Sequence, residues 1–407
     1  MHGIKRERLS EEARRNKKLR DRARIRNYKT LNAMVLVRRD KRDYSEDAFR
    51  LSTKLLDLNP EYYTIWNYRR EIFLNGLFQD PGDAAKGETA VSNDMIPAIL
   101  ERELKFLIVL LKRFPKCYWI WNHRMWCLEN NPKPKLNNEL AIVNKILSLD
   151  SRNFHGWHYR RYIIGLIESS NGSKSSTNSG INASGTELSL SEFNYTTELI
   201  NLNFSNFSAL HNRSKLIIKI FKKTNLDNQY KEAVLKTNPE FENKLEFLTK
   251  ELDYFKNAIY TDPDDQSVWL YLRWLLCSND LLNLSMDDND NNNDNNNSNN
   301  NNNKLKIIKL LLLQIKDINE LNDLEKSDDI NSLDNKWCLK IIIEIQMTLF
   351  DKFIDLLKTN DTNNSDYLTS LITNFNQNLT TLIQIDPLRS NRYLDLQRIY
   401  NKRFETL

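Results

Sequence analysis

The sequence predicts an all-α chain, a solenoid of αα-hairpin repeats. Three observations predict it: turn-forming residues are scarce, apolar residues recur at helical spacing, and one aromatic motif returns along the chain. Gly and Pro number nine each in 407 residues, fewer than strands joined by tight turns require. Hydrophobic residues make up 40% of the chain and aromatic residues 10%, enough to bury a sizeable core.

The apolar spacing comes first. Ala48, Leu51, Leu55 and Leu58 recur at steps of 3, 4 and 3. Leu100, Leu104, Leu107 and Leu111 do the same at 4, 3 and 4, and Leu248, Leu252, Phe255 and Ile259 form a third stripe. Each stripe lines one face of a helix. No alternating strand pattern is found.

The motif follows each stripe. The copies are LDLNPEYYTIWNYRREIFL (56–74), LKRFPKCYWIWNHRMWCLE (111–129), LSLDSRNFHGWHYRRYIIG (147–165), the degenerate INLNFSNFSALHNRSKLII (200–218), and IYTDPDDQSVWLYLRWLLC (259–277). The shared frame is a Pro or turn residue, five residues, a Trp, then an Arg three or four residues on. Its anchors are Trp66, Trp121, Trp157, Leu210 and Trp269. Pro60, Pro115 and Pro263 end one helix and free the chain to turn back. The Trp face then packs between neighbouring hairpins, worth a few kcal/mol. No hairpin buries its stripe alone, so the copies must stack. Arg69, Arg124, Arg160, Arg213 and Arg273 admit two readings: buried pairs with acidic side chains or helix carbonyls, or a polar repeat face turned toward a partner. A weak sixth copy is expected to begin near Ile385–Pro387.

Residues 80–94, 169–186 and 287–303 read as loops from their polar, small-residue composition. The last contains only Asp, Asn and Ser. The chain is therefore expected to divide into a repeat region (1–282), an Asn/Asp-rich disordered insertion (283–303) and C-terminal helices that complete the solenoid (304–407).

Charge and cysteines narrow the function classes. Residues 1–42 hold 16 Lys/Arg against 5 Asp/Glu, which suits a solvated basic helix or an acidic protein partner. Aromatics are not interleaved there, which argues against nucleic acid. Cys117, Cys127, Cys277 and Cys338 form no CxxC pair, so no metal site assembles from their spacing, and buried reduced thiols are expected. The basic start lacks an apolar core of signal-peptide type, and the aliphatic run near Leu305–Ile315 carries Lys306 and Lys309. No integral membrane segment is expected, and the reading is a cytoplasmic protein.

The Trp-to-Trp steps are 55, 36 and 112, which excludes a regular 34-residue tetratricopeptide array. The WNxR and WHYRR cores, with their upstream Pro and downstream Arg, resemble the repeats of protein prenyltransferase α subunits over residues 28–282. That resemblance implies a right-handed superhelical crescent wrapped around a β subunit. The β subunit would be an α/α barrel carrying the catalytic zinc and most of the isoprenoid pocket. The short basic opening MHGIKRERLSEEARRNKKL is similar to the type II, or Rab, geranylgeranyltransferase. It lacks the long Pro- or acid-rich extension of the α subunit shared by farnesyltransferase and the type I enzyme. No LxxLxLxxN pattern is found, so the extra domains of animal type II forms are not expected here. The substrates implied are geranylgeranyl diphosphate and the C-terminal cysteines of Rab GTPases presented by a Rab escort protein.

Two positions carry over from the resemblance. PKCYWIW matches the PKxYxxW pattern and implies diphosphate contacts by Lys116 and Tyr118 at the subunit interface. A Lys cation would stabilise the departing diphosphate, and a Tyr hydroxyl would donate to the same oxygens. The third repeat departs from the pattern, with Phe154 where the family often has Tyr. His2, at the N-terminus, could reach the β-subunit zinc, since neutral imidazole binds zinc well. The alternatives are the shared α subunit acting on CaaX proteins and a non-catalytic helical-repeat scaffold.

Overall fold

The computed structural model describes residues 10–79, 95–172, 183–279, 281–282, 296–327, 333–359 and 364–405. Among them there is no β-strand. The helices are α1 (Glu11–Asp40), α2 (Glu46–Leu58), α3 (Tyr63–Ile72), α4 (Met95–Arg113), α5 (Tyr118–Glu129), α6 (Leu136–Leu149), α7 (Phe154–Gly172), α8 (Ala183–Leu202), α9 (Phe207–Thr224), α10 (Asn228–Thr237), α11 (Lys244–Thr261), α12 (Gln266–Cys277), α13 (Asn296–Ser327), α14 (Lys336–Lys352), α15 (Ile354–Thr359), α16 (Asn364–Ile385) and α17 (Ser390–Phe404). The chain forms two compact units, Met1–Ile167 and Glu168–Leu407. Each is a stack of αα-hairpins.

Four residues join the two helices in the hairpins α2/α3, α4/α5, α6/α7, α8/α9, α11/α12 and α16/α17. In the first of these turns the Tyr62 amide donates to the Asn59 carbonyl, and the others repeat that bond, for example Asn153 to Asp150 at 3.0 Å and Asp265 to Asp262 at 3.1 Å. The residue before the Pro leaves helical geometry, with φ −143° and ψ 85° at Asn59 and φ −142° and ψ 85° at Asp262, as a following Pro ring demands. Asp150, which precedes Ser151, takes the same shape at φ −139° and ψ 86°.

The Trp frame has one cause. Each Trp indole N–H donates to the carbonyl six residues earlier: Trp66 to Pro60 at 2.8 Å, Trp121 to Pro115 at 2.9 Å, Trp157 to Ser151 at 2.8 Å and Trp269 to Pro263 at 2.7 Å. The ring is thus buried with its polar atom satisfied, the condition for a tryptophan in a core. All four Trp are at most 3% exposed.

The arginines correct the polar-face reading. Arg69, Arg124, Arg160 and Arg213 are buried, not turned outward. Arg69 forks onto both oxygens of Glu103 at 2.7 Å, Arg124 onto Glu139 at 2.8 Å, and Arg213 onto Glu251 at 2.5 and 2.8 Å. In each case the glutamate lies on the first helix of the next hairpin. The other end of the guanidinium holds its own hairpin's first helix: Ser52 and Thr53 for Arg69, the Leu104 carbonyl for Arg124, Thr197 for Arg213. Arg160 likewise donates to Asn144. The glutamate also accepts from a ring two residues past the anchor Trp of its own hairpin: His123 at 3.0 Å, Tyr159 at 2.6 Å and Tyr271 at 2.5 Å. Three helices meet at each carboxylate, and the fork geometry suits arginine alone. Burial pushes the Glu103 carboxyl up, but Arg69 and the bonds from Arg69 and His123 overcome it and hold it at about 2.

Arg273 differs. In the fifth copy Leu272 takes the buried place, and Arg273, one residue on, is exposed and pairs with Glu344 at 3.1 Å. Leu58, expected in the apolar stripe of α2, is 60% exposed, and Ser52 and Leu56 are buried there with Ala48 and Leu55.

The C-terminal part also departs from expectation. Residues 283–295 lie outside the described residues, but 296–303, expected to be disordered, form the first turns of α13. A helix nucleated by the apolar stretch that follows extends at one bond per residue, even through asparagine. The Asn-rich stretch does not divide compact units, because α12 packs on α14 and α11 on α13 across it. Pro387 lies in the four-residue turn of a hairpin, α16/α17, but α13/α14 is already the sixth, so this copy is the seventh. The sixth has no Trp anchor, and an eight-residue connection replaces the four-residue turn.

Candidate functional site

In four hairpins the second helix opens on an aromatic residue that stands on the surface. Tyr63 is 53% exposed, Tyr118 56% and Phe154 55% in the first unit, and Phe207 is 45% exposed in the second. Each lies three residues before its anchor, one turn away from the buried face. Sequence patterning places them there: the anchor's burial fixes the helix rotation, and the preceding turn aims the helix start outward.

This edge of the first unit carries an ion pair and an aromatic cluster. Lys116, in the turn before α5, is 70% exposed and its Nζ lies 3.5 Å from Asp150 Oδ2. The Tyr118 ring stands edge-on to the His155 ring at 4.2 Å and lies 5.8 Å from the Phe154 ring. His155 is buried, and its Nε2 has no hydrogen-bond partner among the described residues. Burial lowers its pKa, against a hydrogen bond to the Lys116 backbone that raises it. A neutral imidazole therefore backs the Lys116–Tyr118 turn. This edge can offer an exposed cation and, two residues on, an exposed phenol, with aromatic faces for an apolar group.

His155 went unmarked in the sequence because a lone His inside a repeat frame carries no spacing signal. The clamp glutamates did carry one. Glu103, Glu139 and Glu251 each lie 18 residues before the anchor of their own hairpin, at Trp121, Trp157 and Trp269. Glu192 keeps the same distance from Leu210 and is also buried.

Other candidates sit elsewhere. His2 lies outside the described residues. His123 belongs to a clamp, and His158 and His211 are exposed on α7 and α9. Burial pushes the thiols of Cys117 and Cys277 up to about 11 and that of Cys338 to about 12, so none is a ready nucleophile. Among the described residues no group of three or more His, Cys, Asp or Glu could hold a metal, and no helix is long and apolar enough to cross a membrane. The basic residues of α1 between 14 and 27 are all exposed.

Fold and edge together define a helical-hairpin repeat protein with buried arginine clamps inside and aromatic helix starts outside. The protein prenyltransferase alpha subunit repeat matches residues 36–76, 100–131, 136–167 and 248–279. Geranylgeranyl transferase type-2 subunit alpha of Candida albicans is 39% identical over 97% of this chain and 96% of its own length. The same subunit of Saccharomyces cerevisiae is 35% identical over 97% and 98%. The human one is 32% identical over 68% of this chain and 42% of its own. The chain belongs to the protein prenyltransferase α subunits, among those of type-2 geranylgeranyl transferase. A solved structure, Candida albicans protein geranylgeranyltransferase-I complexed with GGPP, is similar in fold, with TM-score 0.54 at 18% identity over 92% of this chain and 90% of that one.

Proposed function

We propose that this chain, with a β subunit, transfers a geranylgeranyl group from its diphosphate to C-terminal cysteines of Rab GTPases presented by an escort protein. The observation that carries the reading is the near full-length identity to type-2 α subunits of two yeasts. In the reaction a cysteine sulfur bonds to C1 of the isoprenoid as the C1–O bond breaks, and diphosphate leaves with the electron pair. Zinc held by the β subunit would bind that sulfur and keep it a thiolate. Lys116 would bind the diphosphate oxygens as their charge grows, exchanging its Asp150 contact for them, and Tyr118 would donate a hydrogen bond to the same group. The edge geometry supports this division: Lys116 is free to move, while His155 and Phe154 hold the Tyr118 ring in place.

The test is a transfer assay on the chain co-expressed with its β subunit. It uses labelled geranylgeranyl diphosphate and a Rab, with and without escort, beside a CaaX substrate. Escort-dependent labelling of the Rab is expected, with Lys116→Ala lowering kcat about 100-fold at unchanged subunit assembly. Labelling of the CaaX substrate alone would move the chain to the shared farnesyl/type I subunit. Failure to bind any β subunit would leave a non-catalytic scaffold.

A further inference from the structure

A cavity of about 170 Å³ lies between α12, α14 and α17. It shares Leu270, Arg273 and Glu344 with a second cavity of about 420 Å³ that continues along α12 and α14 to Ser278 and Lys352. Together they make one trough in the second unit. From Gln266 to Ser278 it runs about 18 Å at 1.5 Å per residue, the reach of about five or six extended residues.

The trough has an apolar floor and a basic rim. Half-buried Leu270, Trp274, Trp337 and Met347 give the floor. Arg273, Lys340, Arg389 and Arg392 line one end and Lys352 the other, against the carboxylates Glu344 and Asp351. Asp386 sits beside the rim, within 3.1 Å of Arg389 and 3.9 Å of Lys340. Five cations thus face three carboxylates. Arg273 and Arg392 share one of these, Glu344, at 3.1 and 3.7 Å, and Asp351 is engaged by Tyr400 and Arg403. At the far end the Lys352 Nζ is buried with no hydrogen-bond partner among the described residues. An ammonium in that state is costly unless an anion reaches it. Burial lowers the pKa of Lys352, opposed by Cys277 and Asp351.

We infer that this trough binds an extended acidic segment of a partner polypeptide, with carboxylates on the Arg392–Lys340 rim and at Lys352 and apolar side chains on the tryptophan floor. The charge excess selects acid, and the length and the apolar floor select a peptide over a small anion. This site lies in different hairpins from the Lys116 edge, and its test needs no transferase activity.

The test is fluorescence anisotropy with the full chain and a labelled hexapeptide alternating Glu and Leu. Binding that weakens with salt is expected, with no binding of a Lys/Leu peptide of equal length. Lys352→Met should weaken binding at least threefold, and the double variant Lys340→Glu/Arg392→Glu at least tenfold. Arg392→Glu alone, at a side chain 63% exposed, keeps the test open if the double variant fails to fold, and should weaken binding at least threefold. Equal affinity of wild type and Arg392→Glu, or no binding of the Glu/Leu peptide, would overturn the inference. Complete displacement of the peptide by equimolar inorganic pyrophosphate would also overturn it, in favour of a small-anion site.

Discussion

The hairpins of the first unit and the last hairpins of the second are stacked by different forces. Up to Ile167 each junction holds a buried arginine forked on a glutamate, such as Arg69–Glu103 and Arg124–Glu139. Between α14, α16 and α17 an apolar cluster does the same work. Phe350 lies 5.6 Å from Phe375, which lies 5.2 Å from Tyr400, with Leu379 and Leu382 fully buried beside them. A buried ion pair is directional and tolerates one geometry. Apolar packing tolerates many residue combinations that fill the same volume. One architecture can therefore be joined in either way, and the two should fail differently.

The largest effect is expected at a clamp. Arg124→Met leaves Glu139 buried without its countercharge and should cost roughly 4 kcal/mol. Adding Glu139→Leu should recover most of that loss in thermal melts of the full chain. If the double variant is no more stable than the single, the Tyr159 hydroxyl stranded by losing Glu139 costs as much as the unpaired carboxylate. Phe375→Ala in the apolar cluster should cost roughly 3 kcal/mol through the cavity it leaves. No second truncation should rescue it, and a rescue by Phe350→Ala would erase the contrast. Trp66→Phe is smaller, roughly 1–2 kcal/mol for the lost bond to Pro60 and some apolar area. The Pro60 carbonyl still has the Cys117 thiol at 3.4 Å.

The smallest effect separates two clamps by pH. Burial lowers the His123 pKa, opposed by its bond to Glu103. The folded state thus resists protonation there, so this stability is present above the unfolded pKa, about 6.5, and is lost as pH falls below it. Tyr271, at the same place in the fifth hairpin, is pushed up by burial and does not titrate in that range. His123→Asn should therefore flatten the decline in melting temperature between about pH 7 and 5.5. An unchanged slope would assign the decline to other groups.

Legibility in the sequence follows the same division. The first three and the fifth hairpins could be read because an indole bonded to a carbonyl six residues back requires particular residues at fixed spacing, and in the first three a buried arginine one turn further on adds to it. The sixth could not: α14 carries Leu339 in place of a Trp and lacks the four-residue turn. Its packing leaves only helical periodicity in the sequence. At the candidate site Lys116 and Tyr118 were legible from one local motif. His155 was not, because its role depends on a neighbouring hairpin rather than on its own spacing. The arginines were visible but their direction was not, since the partner glutamate lies 34 residues from Arg69, 15 from Arg124 and 38 from Arg213.

Those unequal distances arise at the end of the hairpins opposite the four-residue turn. From clamp glutamate to its Tyr or His acceptor partner the separation is 20 residues in all three clamps, because that path crosses only the fixed turn. The Arg-to-Glu path crosses the opposite end of the hairpin, where connections range from the six residues 130–135 to the 22 residues 73–94. In the hairpins that keep the four-residue turn, length variation is therefore confined to the other end. A foreign loop or a sensor module grafted into residues 80–94 or 283–295 would leave every indole bond and clamp in register. A single residue added between Pro60 and Trp66 would rotate all of α3 by about 100° and unseat Trp66 and Arg69 together.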